Sequence, residues 1–148
     1  MNFTILPLLL ILGWLIGSFL NYLADVLPRT RRLSPAVCFC CEEKVPVSYY
    51  LLLRKCDHCG SSQKNRTRIV QVLSVFLIPL MFYFPPERFG FWLSLPYFLY
   101  FALVFIMDIE YRVVLYEVIG AGILLAIPMG IYWNGLLKTL VGAAAGFG

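Results

Sequence analysis

At 148 residues, with 61% hydrophobic and only 14% charged side chains, the chain departs from soluble domains, where apolar residues make up about half and charged ones about a quarter. Of the 12 Lys and Arg behind the net charge of +4, nine fall between Arg29 and Arg68. That composition excludes a soluble enzyme, and without a recognition motif it excludes a nucleic-acid surface; the charge reflects membrane topology and some attraction to anionic headgroups.

Ile5 to Leu23 is 19 residues without a charge, close to the ~20 that cross a ~30 Å hydrocarbon core. A signal peptide is the competing reading. The segment lacks a basic region ahead of it and is followed by Pro28-Arg29-Thr30-Arg31-Arg32 in place of a small-residue cleavage site, so it reads as a retained helix. Residues 24–68 form the one sizeable hydrophilic segment. By the positive-inside rule it is cytoplasmic and the N-terminus faces out. Ile69 to Phe84 is apolar apart from Gln71 and Ser74, and at 16 residues it spans only if its helix begins near Thr67 or the bilayer thins locally. Pro85-Pro86-Glu87-Arg88 makes a turn, and Phe89 to Met107 gives a third span ending on Asp108 at the cytoplasmic boundary. The polar run Asp108-Ile109-Glu110-Tyr111-Arg112 leads to a fourth span, Val113 to Trp133, then Asn134-Gly135 and a fifth apolar piece from Leu136 to Gly148. The predicted class is an all-α membrane protein, a polytopic transmembrane helical bundle with a cytoplasmic Cys-rich loop. No solenoid repeat or low-complexity tract interrupts it.

Within the loop, Cys38-x2-Cys41 and Cys56-x2-Cys59 are separated by 14 residues. At this spacing two tight turns present four thiolates to one tetrahedral zinc, at Zn–S of about 2.3 Å. Buried or disulfide-paired cysteines are the alternative, and Cys40 shows that thiols here need not all be ligands. A reducing cytoplasm favours the metal. His58 lies inside the second pair, but four thiolates already complete the shell, which makes it an outward knuckle residue. Asp108 follows Val104-Phe105-Ile106-Met107; an ionisable group at membrane depth is a functional candidate, weighed against an interfacial residue that marks where the helix leaves the lipid. Glu117 is a possible partner for Asp108 or Arg112. Gly13-x3-Gly17 and Gly142-x3-Gly146 are possible close helix contacts. Of Trp14, Trp92 and Trp133, the last fits an interfacial belt.

Gly17-Ser18-Phe19-Leu20-Asn21 with Leu27-Pro28, then Ser34-x3-Cys38-x2-Cys41, Pro46 through Lys55 with Cys56-x2-Cys59, and Asp108-Ile109-Glu110-Tyr111-Arg112 together resemble the N-terminal half of a prepilin peptidase. That family, aspartic peptidase family A24, comprises the leader peptidase and N-methyltransferase of type IV pilus and type II secretion systems. The resemblance implies an inner-membrane aspartic endopeptidase acting on prepilin or pseudopilin substrates, with Asp108 as the first of two catalytic aspartates. It also implies a cysteine-bearing loop, S-adenosylmethionine wherever methyl transfer is retained, and residues 69–148 as the start of the peptidase domain. No Gly-rich cofactor loop is visible for the methyl donor. The sequence departs from the family pattern in three ways. The spacer between cysteine pairs is shorter, Gln71 stands where a Glu is usual, and Val114-Leu115-Tyr116 replaces Ile-Pro-Asp. The Gly-x-Gly-Asp motif of the second aspartate does not occur, so the sequence reads as a truncated copy.

An aspartic peptidase divides two roles between two carboxylates: one takes the proton from the attacking water while the other protonates or polarises the scissile carbonyl. One carboxylate cannot fill both, so the 148-residue chain alone is expected to be inactive. A non-catalytic membrane scaffold or binding module that keeps the cysteine loop is the alternative. A small transporter subunit fits less well, since only one acid sits at a credible depth and no inverted repeat is seen.

Overall fold

The computed structural model describes residues 3–87, 90–112 and 116–147. The turn residue Arg88, the expected span boundaries at Phe89 and Val113, Val114 and Leu115 of the departure from the family pattern, and Gly148 lie outside them. The regular elements among the described residues are helices, with one isolated bridge between Val37 and Lys44 and no strand. After a 3-10 turn at Phe3–Ile5 come α1 (Leu6–Thr30), α2 (Ser48–Leu51), α3 (Asn65–Tyr83), α4 (Gly90–Tyr111), α5 (Tyr116–Asn134) and α6 (Leu136–Phe147). Four of these, α1, α3, α4 and α5, are long and apolar enough to cross a membrane. The chain divides into two compact units, Met1–Val113 and Val114–Gly148.

In the first unit α1 and α3 pack antiparallel. Asn21 donates to the Thr67 carbonyl at 3.0 Å, Gln71 sits beside Ser18, and Gly13 faces the Ser74–Val75 backbone. Lipid tails are as apolar as Leu, so membrane helices associate through close packing and polar bonds, the latter worth about 1 kcal/mol or less each. Both are present here. A Cβ on Gly13 would stand 2.8 Å from the Ser74 oxygen and from Val75 Cα, so only glycine allows this approach. Gln71, fully buried, donates to the Trp14 carbonyl at 2.7 Å and to Ser18 Oγ at 3.2 Å. That accounts for the departure at this position: an amide donates to a carbonyl, which an ionised Glu cannot do.

Two helices outrun their apolar stretches. α1 continues past Leu23 to Thr30, because Ala24 and Val26 keep a buried face where hydropathy falls. Arg31 then stops it in a left-handed conformation (φ 53°), its amide bonded to the Leu27 carbonyl at 2.9 Å. α4 continues past Asp108 to Tyr111 and is stopped by Arg112 (φ 50°), whose amide bonds the Asp108 carbonyl at 3.1 Å. Asp108 therefore lies within the last turn of a helix. In the second unit α5 and α6 turn about Gly135 (φ 79°) and meet where Gly130 faces Thr139.

Candidate functional site

The two cysteine turns have the same backbone pattern. The Cys38 amide donates to the Glu43 carbonyl and the Cys38 carbonyl accepts from Glu42; Cys56 repeats this with Ser61 and Gly60. The fifth residue of each turn is left-handed, Glu42 at φ 57° and Gly60 at φ 65°. A small apolar core of Val26, Ala36, Val45 and Tyr50 joins the turns to α1 and buries Cys38 and Cys56. All four sulfurs, of Cys38, Cys41, Cys56 and Cys59, lie within 4.8 Å of one another, with Cys38–Cys59 and Cys41–Cys56 each at 3.6 Å. Tetrahedral zinc at 2.3 Å from each sulfur requires S···S of about 3.8 Å, so the four thiols are close enough to bind one metal such as zinc. Cys40 and His58 are exposed and stand outside the cluster.

The thiols polarise one another. Burial pushes Cys38 up, but the amides of Cys40 and Cys41 and the thiols of Cys56 and Cys59 outweigh it and bring Cys38 down to about 6. At Cys59 the Ser61 amide lowers the value, and against it burial and the other three thiols push it up to about 12. One sulfur collects negative charge and its neighbours donate to it, an arrangement a cation would replace.

A second constellation joins the helix ends. Arg66 pairs with Asp25 of α1 and with Glu110 of α4, each at 2.6 Å, and Lys64 also pairs with Glu110. Tyr50 donates to Asp25 at 3.0 Å; burial and that carboxylate push its phenol up, so it remains a donor. Lys64 also lies 4.4 Å from the ring centre of Phe39, inside the first cysteine turn. One ionic layer thus ties α1, α3, α4 and the cysteine segment together. From sequence, Lys64 and Arg66 count only toward the basic segment, Glu110 only as part of the polar run after Asp108, and Asp25 is not singled out. Their signal was an acid just past each of two apolar runs, Asp25 after the first and Glu110 after the third.

Asp108, on the turn of α4 that carries Glu110, is exposed and makes no side-chain hydrogen bond or ion pair among the described residues. It lies at one end of a groove of about 1010 Å³ between α3 and α4, lined by Leu73, Leu77, Phe98, Phe101 and Phe105 and closed at the same end by Arg66 and Glu110. Glu117 begins α5 in the other unit and is exposed.

Fold and sites define an all-helical membrane protein with a four-thiol cluster beside an ionic helix-end layer. Residues 11–84, half of the chain, match the bacterial peptidase A24 N-terminal domain, and the chain belongs to that family. No curated protein and no solved structure matches significantly. At the level of the family the activity is that of an aspartic peptidase, and family and apolar helices together support an inner-membrane protein. The match covers the cysteine segment and α3 and stops before α4.

Proposed function

We propose that the protein acts in prepilin leader peptidase chemistry at the inner membrane, with Asp108 as one of two catalytic carboxylates and a Gly-x-Gly-Asp segment supplying the other. The observation that carries this reading is an exposed, unpaired carboxylate at the end of an apolar groove. A prepilin is a basic leader followed by an apolar helix. The groove suits the helix, and Asp108 would meet the polypeptide where helix and leader join.

Asp108 and its partner would share a proton across a water. As the water attacks, one carboxylate accepts its proton and the other donates a hydrogen bond, then a proton, to the carbonyl oxygen. Glu110 does not suit the partner's role, because Arg66 and Lys64 hold it as a paired anion. Cys38, Cys41, Cys56 and Cys59 would hold a structural zinc, whose chemistry there is to clamp two turns into one body. Methyl transfer with S-adenosylmethionine finds no support among the described residues and forms no part of the reading. The N-terminus out and the cysteine segment in the cytoplasm complete it, since the basic residues choose that side.

The test is a prepilin carrying a photo-crosslinking residue in the first turns of its apolar helix, irradiated in membranes with the protein. Adducts are expected on α3 and α4 at Leu73 and Phe101. Adducts confined to α1, or none while the prepilin is bound, would remove the groove from the reading and favour a scaffold role.

A further inference from the structure

From the ionic layer to the far helix ends, α1 runs from Asp25 back to Leu6, α3 from Arg66 to Tyr83 and α4 from Glu110 back to Gly90. At 1.5 Å per residue these stretches are about 26 to 30 Å long, the thickness of one hydrocarbon core. The core must therefore reach the ionic layer, for the helices have no length to spare.

Below that layer, α2 is tied to the side of α1. Trp14 Nε1 donates to the Leu51 carbonyl at 2.7 Å, and Ser18 Oγ lies 3.5 Å from the Tyr50 carbonyl. Ser18 precedes Asp25 by seven residues, about 10 Å down the helix axis. Tyr50 spans the difference, its backbone beside Ser18 and its hydroxyl on Asp25. Backbone at such a depth needs internal partners, and the carbonyls of the tip's first turn have them. The carbonyls from Pro46 to Tyr49 and that of Leu51 have donors: the amides of Tyr49, Tyr50, Leu51, Leu52 and Arg54, and the side chains of Gln63 and Trp14. Ser18 Oγ, which donates to the Trp14 carbonyl at 2.9 Å, also lies 3.5 Å from the Tyr50 carbonyl, so three side chains reach in from outside. The tip itself turns apolar groups outward, with Val47 70% and Leu52 59% exposed. Leu53, left-handed at φ 49°, then sends the chain back toward Cys56, and Arg54 and Lys55 stand exposed on the rising arm.

We propose that residues 46–53 form a re-entrant tip inserted among the acyl chains of the leaflet on the cysteine-segment side, with Arg54 and Lys55 reaching back to phospholipid phosphates. The occupant is the leaflet itself, because the helix that holds the tip is a span of that bilayer and the exposed groups at that depth are hydrocarbon. Long basic side chains next to an apolar tip reach the headgroups while their stems stay in lipid. Residues 24–68 are then one topological side with a shallow insertion, not a purely aqueous loop.

The test places p-benzoylphenylalanine at Leu52, and separately at Val47, in the protein reconstituted in phosphatidylethanolamine–phosphatidylglycerol vesicles. Asp57, exposed inside the second cysteine turn, is the control position. After irradiation, mass spectrometry is expected to find phospholipid adducts at positions 47 and 52 and none at 57. Two positions keep the test decisive if one substitution prevents folding. Adducts only to protein, whether α5, α6 or a second copy, would overturn the proposal, as would an absence of lipid adducts at both tip positions.

Discussion

Glu42 and Gly60 hold the same place in two cysteine turns, yet only one is a glycine. The left-handed conformation costs an ordinary residue about 1 to 2 kcal/mol. A Cβ on Gly60 would meet nothing within 4 Å, so Gly60→Ala tests the backbone alone. It is expected to destabilise the metal-bound segment by about 1 kcal/mol or more, whereas Glu42→Gly is expected to be neutral or stabilising. Thermal unfolding in detergent with zinc present would show this as shifts of opposite sign. Single Cys→Ala changes at 38, 41, 56 or 59 are each expected to reduce bound zinc from one equivalent to less than half. Cys40→Ala should leave it unchanged, which metal analysis of the purified protein checks. The cysteine pairs were legible because each turn is local and the Cys-x2-Cys spacing brings its two thiols together within it. The left-handed fifth residue was not, since Glu gives no sign of φ.

At the scale of elements, the seam between α1 and α3 rests on glycine at one end and side-chain amides at the other. Gly13→Leu would force a side chain against backbone atoms that cannot move aside, and overpacking of this kind costs about 1 to 3 kcal/mol. Gly142→Leu is the matched control, with open space around the position. Unfolding in mixed micelles is expected to separate the two, and equal stability would mean that the seam is looser than the helix register indicates. Apolar run lengths gave the helices but not their ends. α1 continues about two turns past Leu23 and α4 about one turn past Met107, because Val26, and Glu110 through Arg66, find partners in three dimensions that hydropathy does not register. The insertion of α2 was illegible for a related reason: Tyr49-Tyr50-Leu51-Leu52-Leu53 is too short to read as a membrane element, and its depth is set by Trp14 and Ser18, more than thirty positions away.

Over the whole first unit, the ionic layer converts separate helices into one platform. Arg66 fixes the end of α4 through Glu110, Lys64 links that carboxylate to Phe39 in the cysteine turn, and Asp108 is carried on the same helical turn without being tied down. A carboxylate in that position is available to chemistry in a way that Asp25 and Glu110, each committed to Arg66, are not. Asp108 was legible from its place after an apolar run. Its freedom from the ion pairs two residues away became visible only in three dimensions. The proposed role of Asp108 as one half of an aspartic dyad is tested by the processing of a prepilin in membranes from a peptidase-null host. Three polypeptides are compared: the 148-residue chain, the chain extended through a Gly-x-Gly-Asp segment, and the extended chain with Asp108→Asn. Cleavage is expected from the extended chain alone, because an amide keeps the carboxylate's shape but neither accepts the water's proton nor shares it. Cleavage by the 148-residue chain, or by the extended chain with Asp108→Asn, would remove Asp108 from the dyad.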